Sequence, residues 1–219
     1  MNALAINGSP RKSWNTATLL KNALAGAKAE GAKTELIHLY DHDYKGCISC
    51  FACKKIGGKS YGRCAVRDGL TGILDKAARA DVLILGSPVY FRGESGEMRS
   101  FMERLLFPYL TYTPERLSLF PGKIQTAFIY TMNVADPAPY HLDKTVAATQ
   151  GYLTMVFGNC EPMLCTDTYQ FKDYSQYLCT CFDAAAKAKR REEVFPLDCK
   201  RAFELGSRLA ARAKTGSPE

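Results

Sequence analysis

Two stretches of this chain hold side chains whose types and spacing could do chemistry. The first is Asn7-Gly-Ser-Pro-Arg-Lys-Ser-Trp-Asn-Thr-Ala-Thr18, set between an apolar run, Ala3-Leu-Ala-Ile6, and a helical pattern. Where a strand hands over to a helix N-terminus, free N–H groups point outward and about half a positive charge accumulates, which suits an anion. Ser9, Ser13, Asn15 and Thr16 add side-chain donors, and Arg11 adds a permanently charged fork matched to phosphate oxygens. With Gly8 as its only glycine, the stretch is neither a triphosphate loop nor a three-glycine dinucleotide fingerprint. The anion expected is a terminal monophosphate.

The second stretch is Cys47-x-x-Cys50-x-x-Cys53, followed by Cys64. Two-residue spacings turn successive thiolates toward one centre, and thiolates favour iron–sulfur or zinc over harder metals. Gly57, Gly58 and Gly62 let the chain fold back to bring Cys64 in, and Lys54, Lys55, Lys59 and Arg63 offset the negative charge of a thiolate-bound cluster. A [4Fe–4S] cluster on these four cysteines is the expectation, with structural zinc as the alternative.

These stretches need a scaffold. At 219 residues and 47% hydrophobic content the chain reads as one α/β domain spanning 1–219, with a cysteine-rich loop inserted at about 41–67. No basic leader and no apolar run of membrane-spanning length is found, so a cytoplasmic protein in a reducing compartment is expected, its nine cysteines serving as thiols or ligands. The net charge of +7 is scattered apart from Lys187-Ala-Lys-Arg-Arg191, read as a solvated helix face. Attraction of anionic cofactors and substrates is expected, and neither nucleic acid nor membrane is expected as a partner.

Periodicity places helices at about 16–30, from Asp68 through Ala77, from Ser95 through Leu105, at 142–156 and at 184–191, with a last helix capped by Asp198. Strands fall at 3–6, 34–39, 81–85, 124–130 and 163–166, and the continuous apolar run at 81–85 suits a strand covered on both faces. Five strands alternating with helices make a doubly wound parallel sheet of order 2-1-3-4-5 with helices on both faces. Ligands of such sheets bind beyond the strand ends at the crevice between strands one and three. Gly8–Thr16, Ser87–Gly93 and Thr131–Asn133 meet there. In the second, Pro88, Val89, Tyr90 and Phe91 offer stiffness and aromatic surface, and Gly93 admits close backbone approach, as the walls of a flavin site would.

The segments Gly8–Thr16, Gly86–Phe91 and Ser-Gly-Glu-Met-Arg-Ser-Phe-Met-Glu-Arg104 together resemble the NAD(P)H-dependent FMN reductases of the flavodoxin-like superfamily, and the cysteine loop resembles that of the iron–sulfur flavoprotein branch. The likeness covers about 2–133 and is only general after Asn159. It implies that Ser9, Arg11, Asn15 and Thr16 hold an FMN phosphate, that Pro88, Val89, Tyr90, Phe91 and Gly93 line the isoalloxazine, and that Met132 and Asn133 flank it. It further implies hydride transfer from NAD(P)H, with electrons passed to a quinone, a flavin or a redox protein. Trp14 departs from the small residue common at its position, and packing against a partner subunit is one reading of it.

The rivals are a flavodoxin-like electron carrier without a nicotinamide site, disfavoured by the basic charge, and a zinc- or thiol-based sensor. His38, His42 and His141 have no nucleophile signature beside them, which disfavours a hydrolase. Leu105-Leu-Phe-Pro-Tyr-Leu-Thr-Tyr112 is apolar enough to expect a homodimer or higher homo-oligomer.

Overall fold

The computed structural model describes residues 1–216. In chain order its strands are β1 (Asn2–Asn7), β2 (Lys33–His38), β3 (Val82–Tyr90), β4 (Gly93–Glu94), β5 (Leu110–Thr113), β6 (Arg116–Ser118), β7 (Gln125–Thr131) and β8 (Glu161–Cys165). The α-helices are α1 (Asn15–Ala29), α2 (Thr71–Ala78), α3 (Gly96–Leu106), α4 (Leu142–Phe157), α5 (Ala184–Glu193) and α6 (Phe195–Thr215).

The central sheet runs β2-β1-β3-β7-β8 with all of these pairs parallel, the order expected for five alternating units. Alternate residues of each strand feed two separate cores. Ala3, Ala5, Val82, Ile84, Ala127 and Ile129 pack with α1 and α6 residues such as Leu20, Ala23, Leu205 and Leu209. Leu4, Ile6, Leu83, Leu85, Phe128 and Tyr130 pack on the other face with Ile73, Phe101, Leu153 and their neighbours from α2, α3 and α4. Residues Val82–Leu85 are buried throughout, as a strand sandwiched between helix layers requires.

Three short strands were not legible in the sequence. β4 folds back antiparallel on the end of β3, pairing Tyr90 with Gly93 and Val89 with Glu94, and β5 pairs antiparallel with β6. The β3–β4 turn puts Phe91 and Arg92 both at positive φ, 47° and 70°, the backbone that Asn-Gly usually supplies, so its residue types conceal it.

Two expectations need correction. Asp198 does not cap α6: the helix begins at Phe195 with Pro196 in its first turn, where a missing N–H costs nothing, and Asp198 lies buried within that turn. It receives Arg190 at 2.6 Å and Arg201 at 3.1 Å. The run Lys187–Arg191 is accordingly not a solvated face, since Lys187 is buried and ion-paired with Asp167, and Arg190 is held by Asp198.

α1 and α6 touch backbone to backbone. A Cβ on Gly26 would lie 1.9 Å from the Phe203 carbonyl oxygen, and one on Gly206 would lie 1.8 Å from that of Ala23. Main chain cannot swing aside as a flexible side chain can, so Gly206→Ala must push the helices apart. The expected loss is about 1–3 kcal/mol or more in urea unfolding; an unchanged midpoint would show that the helices do not pack this closely.

Candidate functional site

β1 and β3 lie side by side while their following helices leave to opposite faces, and the crevice opens above Asn7 and Gly86, which are register partners. The Gly8 amide donates to the Gly86 carbonyl at 2.8 Å, and the Asn7 carboxamide fixes the turn. Its Oδ1 accepts from the Ser9 amide at 3.1 Å, and its Nδ2 donates to the Ser9 carbonyl at 3.2 Å and to His38 Nδ1 at 2.8 Å. Accepting through Nδ1 suits a neutral imidazole, and burial lowers the His38 pKa in the same sense.

Ser95 joins this loop to the next one. Its hydroxyl donates to the Gly8 carbonyl at 2.5 Å and accepts from the Met98 amide at 3.3 Å, capping α3, while its amide donates to Ser87 Oγ at 2.9 Å. A Cβ on Gly8 would sit 2.7 Å from Met98 Cβ, so glycine is required for this approach. The third loop is joined by Thr16 Oγ1, 2.8 Å from Thr131 Oγ1.

Ser9, Asn15 and Thr16 are buried in this cradle, whereas Arg11 and Ser13 stand exposed at its rim. No side chain caps α1: Trp14 occupies the cap position without a side-chain hydrogen bond, and the first turn carries no acid. Helix-terminal amides therefore remain for an anion.

A strap from Asp167 to α5 crosses the cradle. Arg11 Nη1 donates to the Gln170 carbonyl at 2.6 Å, and Trp14 Nε1 and Asn15 Nδ2 donate to that of Tyr169 at 3.0 and 2.9 Å. Arg191 Nη1 donates to Asn15 Oδ1 at 2.6 Å, and the Arg11 and Arg191 guanidiniums lie 4.3 and 5.8 Å from the Trp14 ring. Trp14 thus packs within its own chain. Asn7, Ser95, Thr131 and Arg191 add to the site residues expected from the sequence, and only Arg191 carries a sequence signal, the basic cluster Lys187–Arg191.

Of the second loop, Pro88, Val89 and Gly93 are half-buried, while Tyr90 is exposed and Phe91 is fully so. A large aromatic held in the open at positive φ is costly for the fold. In the third loop Met132 packs into the core, and Asn133 Oδ1 is a buried acceptor with no hydrogen-bond partner among the described residues.

Cys47, Cys50, Cys53 and Cys64 all line one small cavity. Gly57 and Gly62 both adopt φ +72°, and the Gly62 amide donates to the Cys53 carbonyl at 3.0 Å, which folds Cys64 back as the glycines suggested. Ser49 and Phe51, between the first cysteines, also take positive φ. The end of α3 holds both flanks: Glu103 Oε2 accepts from the Cys47 amide at 3.0 Å, and Arg104 Nε donates to Cys64 Sγ at 3.3 Å. The remaining Arg104 nitrogens bind the Lys45 and Val66 carbonyls and Asp68.

No three His, Cys, Asp or Glu side chains among the described residues gather closely enough for a single metal ion. A polynuclear cluster asks for less, because each thiolate takes a different iron. Four thiols lining one cavity, with Cys47 and Cys50 exposed on its outer side, are a donor set that fits such a cluster.

The model for the family of NADPH-dependent FMN reductases matches residues 1–151. The chain belongs to that family. The match spans all three loops and the cysteine loop but stops short of the strap. An iron–sulfur flavoprotein of Methanocaldococcus jannaschii is 41% identical over 104 residues, 48% of this chain and 51% of that protein, so the chain matches about half the length of such curated relatives. In fold it is similar to an NAD(P)H:quinone oxidoreductase from Methanothermobacter marburgensis, with TM-score 0.69 and 12% identity over 95% of this chain and 98% of that one. A flavodoxin from the domain Archaea superimposes with TM-score 0.51 and 15% identity, covering 98% and 99% of the two chains. Among the described residues no helix is long and apolar enough to cross a membrane.

In the stretch Leu105–Tyr112, Leu105 and Pro108 are buried, Tyr109 packs edge-on against Phe120 and Phe157, most of the other residues are half-buried, and Tyr112 is exposed.

Burial opposes charge on both Arg104 and Asp68, yet their bond wins, raising the arginine pKa and lowering that of the carboxyl. The stabilisation from Asp68 is therefore complete above the ordinary carboxylate range and is lost as pH falls through its lowered pKa. Asp68→Ala strands a guanidinium whose side chain is 1% exposed, and about 3–5 kcal/mol should disappear from chemical unfolding at neutral pH. A loss under about 1 kcal/mol would mean the pair does not hold the cysteine loop.

Proposed function

We propose that the chain is an FMN-dependent oxidoreductase that takes hydride from NAD(P)H and passes electrons to an acceptor such as a quinone, a flavin or a redox protein. The observation that carries this reading is the meeting of three loops at the β1–β3 crevice, beside an α1 terminus with no capping side chain. Family membership supports it, and so do the printed names of the iron–sulfur flavoprotein and quinone oxidoreductase relatives.

FMN, when bound, supplies hydride acceptance and one- or two-electron release. The chain's own residues bind and orient it. Ser9, Arg11, Ser13, Asn15 and Thr16, with the α1 amides, would hold the phosphate; Arg11 and Asn15 would exchange the Gln170 and Tyr169 carbonyls for phosphate oxygens. Pro88, Val89, Tyr90, Phe91 and Gly93 would line the ring, with exposed Tyr90 and Phe91 shielding it from water. Asn133 Oδ1 offers an unused acceptor on the third loop, and Met132 supports that loop from the core. Cys47, Cys50, Cys53 and Cys64 would ligate a [4Fe–4S] cluster, with Arg104 donating a hydrogen bond to one ligand sulfur.

Protein purified anaerobically, loaded with FMN and reconstituted with iron and sulfide is expected to oxidise NADH or NADPH at the expense of a quinone and to hold iron that Cys50→Ala loses. Absence of nicotinamide oxidation would leave an electron carrier, and undiminished iron in the variant would remove Cys50 from the metal site.

A further inference from the structure

A cleft of about 610 Å³ opens on the α2–α3 side, and it shares no residue with the three crevice loops. Lys59, Arg63, Arg67, Arg79 and Arg116 line it, against one exposed carboxylate, Asp75. None of these five cations has a carboxylate within 4.0 Å among the described residues. They come from separate segments, the cysteine loop, the end of α2 and the β5–β6 hairpin, so no single helix face accounts for them. Like charges brought together around a concavity repel one another, and the fold keeps them there without an internal counter-ion.

We propose that this cleft binds a phosphorylated small molecule of nucleotide size, at a site separate from the FMN cradle. The volume lies in the range of small-molecule sites and suits an enclosed ligand better than a flat macromolecular contact. Guanidiniums are the side chains matched to phosphate by bidentate geometry, and Tyr61, 45% exposed, adds an aromatic face for a base. The wall formed by Cys64, Arg104 and Pro108 is shared with the cysteine cavity, so the occupant lies directly against the segment that closes that cavity.

Calorimetric titration of the FMN-saturated full chain with ADP, and separately with inorganic pyrophosphate, tests this. Both should bind saturably, and Arg63→Ala and Arg79→Ala should each weaken binding about tenfold or more, since charge-assisted bonds to phosphate are lost. Both arginines are exposed, and unchanged FMN content would report an intact fold. Lys28→Ala, at the far end of α1, should bind as the wild type does. The proposal is overturned if neither probe saturates by millimolar concentration, if the two arginine variants bind like wild type, or if Lys28→Ala weakens binding equally. Failure here leaves the flavin reading intact, because FMN content is read independently.

Discussion

The parallel pairing of β1 with β3 is the constraint on which the rest of the site depends. Two adjacent strands whose connections leave to opposite faces cannot have their ends covered by either helix layer, and the ladder continues past the strands only as far as the Gly8 amide on the Gly86 carbonyl. Everything above that bond must be built from loops. Ser95 reaches both of the first two with one residue, and Thr16 meets Thr131 to bring in the third. The crevice is therefore fixed by main-chain geometry and a few short hydroxyl contacts, and its long side chains are left for a ligand.

The arginines divide by the same logic. Arg104 and Arg190 are matched to Asp68 and Asp198, the first tying α3 to the end of the cysteine loop and the second tying α5 to α6. Arg11 and Arg191 instead flank Trp14 at the cradle and spend their nitrogens on neutral acceptors, Gln170 and Asn15. A neutral acceptor holds a guanidinium less firmly than a carboxylate or a phosphate does, so these two remain open to an anion. The strap that carries Arg191 lies outside the residues matched by the family model.

How far the sequence revealed this depended on whether the signal was local. Strand order, helix positions and the three loops follow from apolar runs and punctuation, because a doubly wound sheet repeats one local unit. The return of Cys64 was likewise visible in its glycines. The β3–β4 turn was hidden because Phe91 and Arg92 take a backbone that other residues favour, held there by strand pairing and by Thr145 donating to the Arg92 carbonyl at 2.9 Å. Asp198 read as a cap because acids before helical patterns usually are; its burial partner, Arg190, sits in a different helix and no periodicity connects them. The strap was illegible for the same reason, since its hydrogen bonds to Trp14 and Asn15 span more than 150 residues of sequence.

On the reading proposed above, the cradle at Ser9–Thr16 recognises a terminal phosphate. Comparison of FMN with riboflavin, which is the same ring and ribityl chain without the phosphate, measures that recognition directly by fluorescence titration of the flavin-free protein. FMN is expected to bind at least about a hundredfold more tightly, the effect of two or more charge-assisted hydrogen bonds. Equal affinities would contradict it, because they would mean that the flavin is held by its ring alone and that the polar loop after β1 has another purpose.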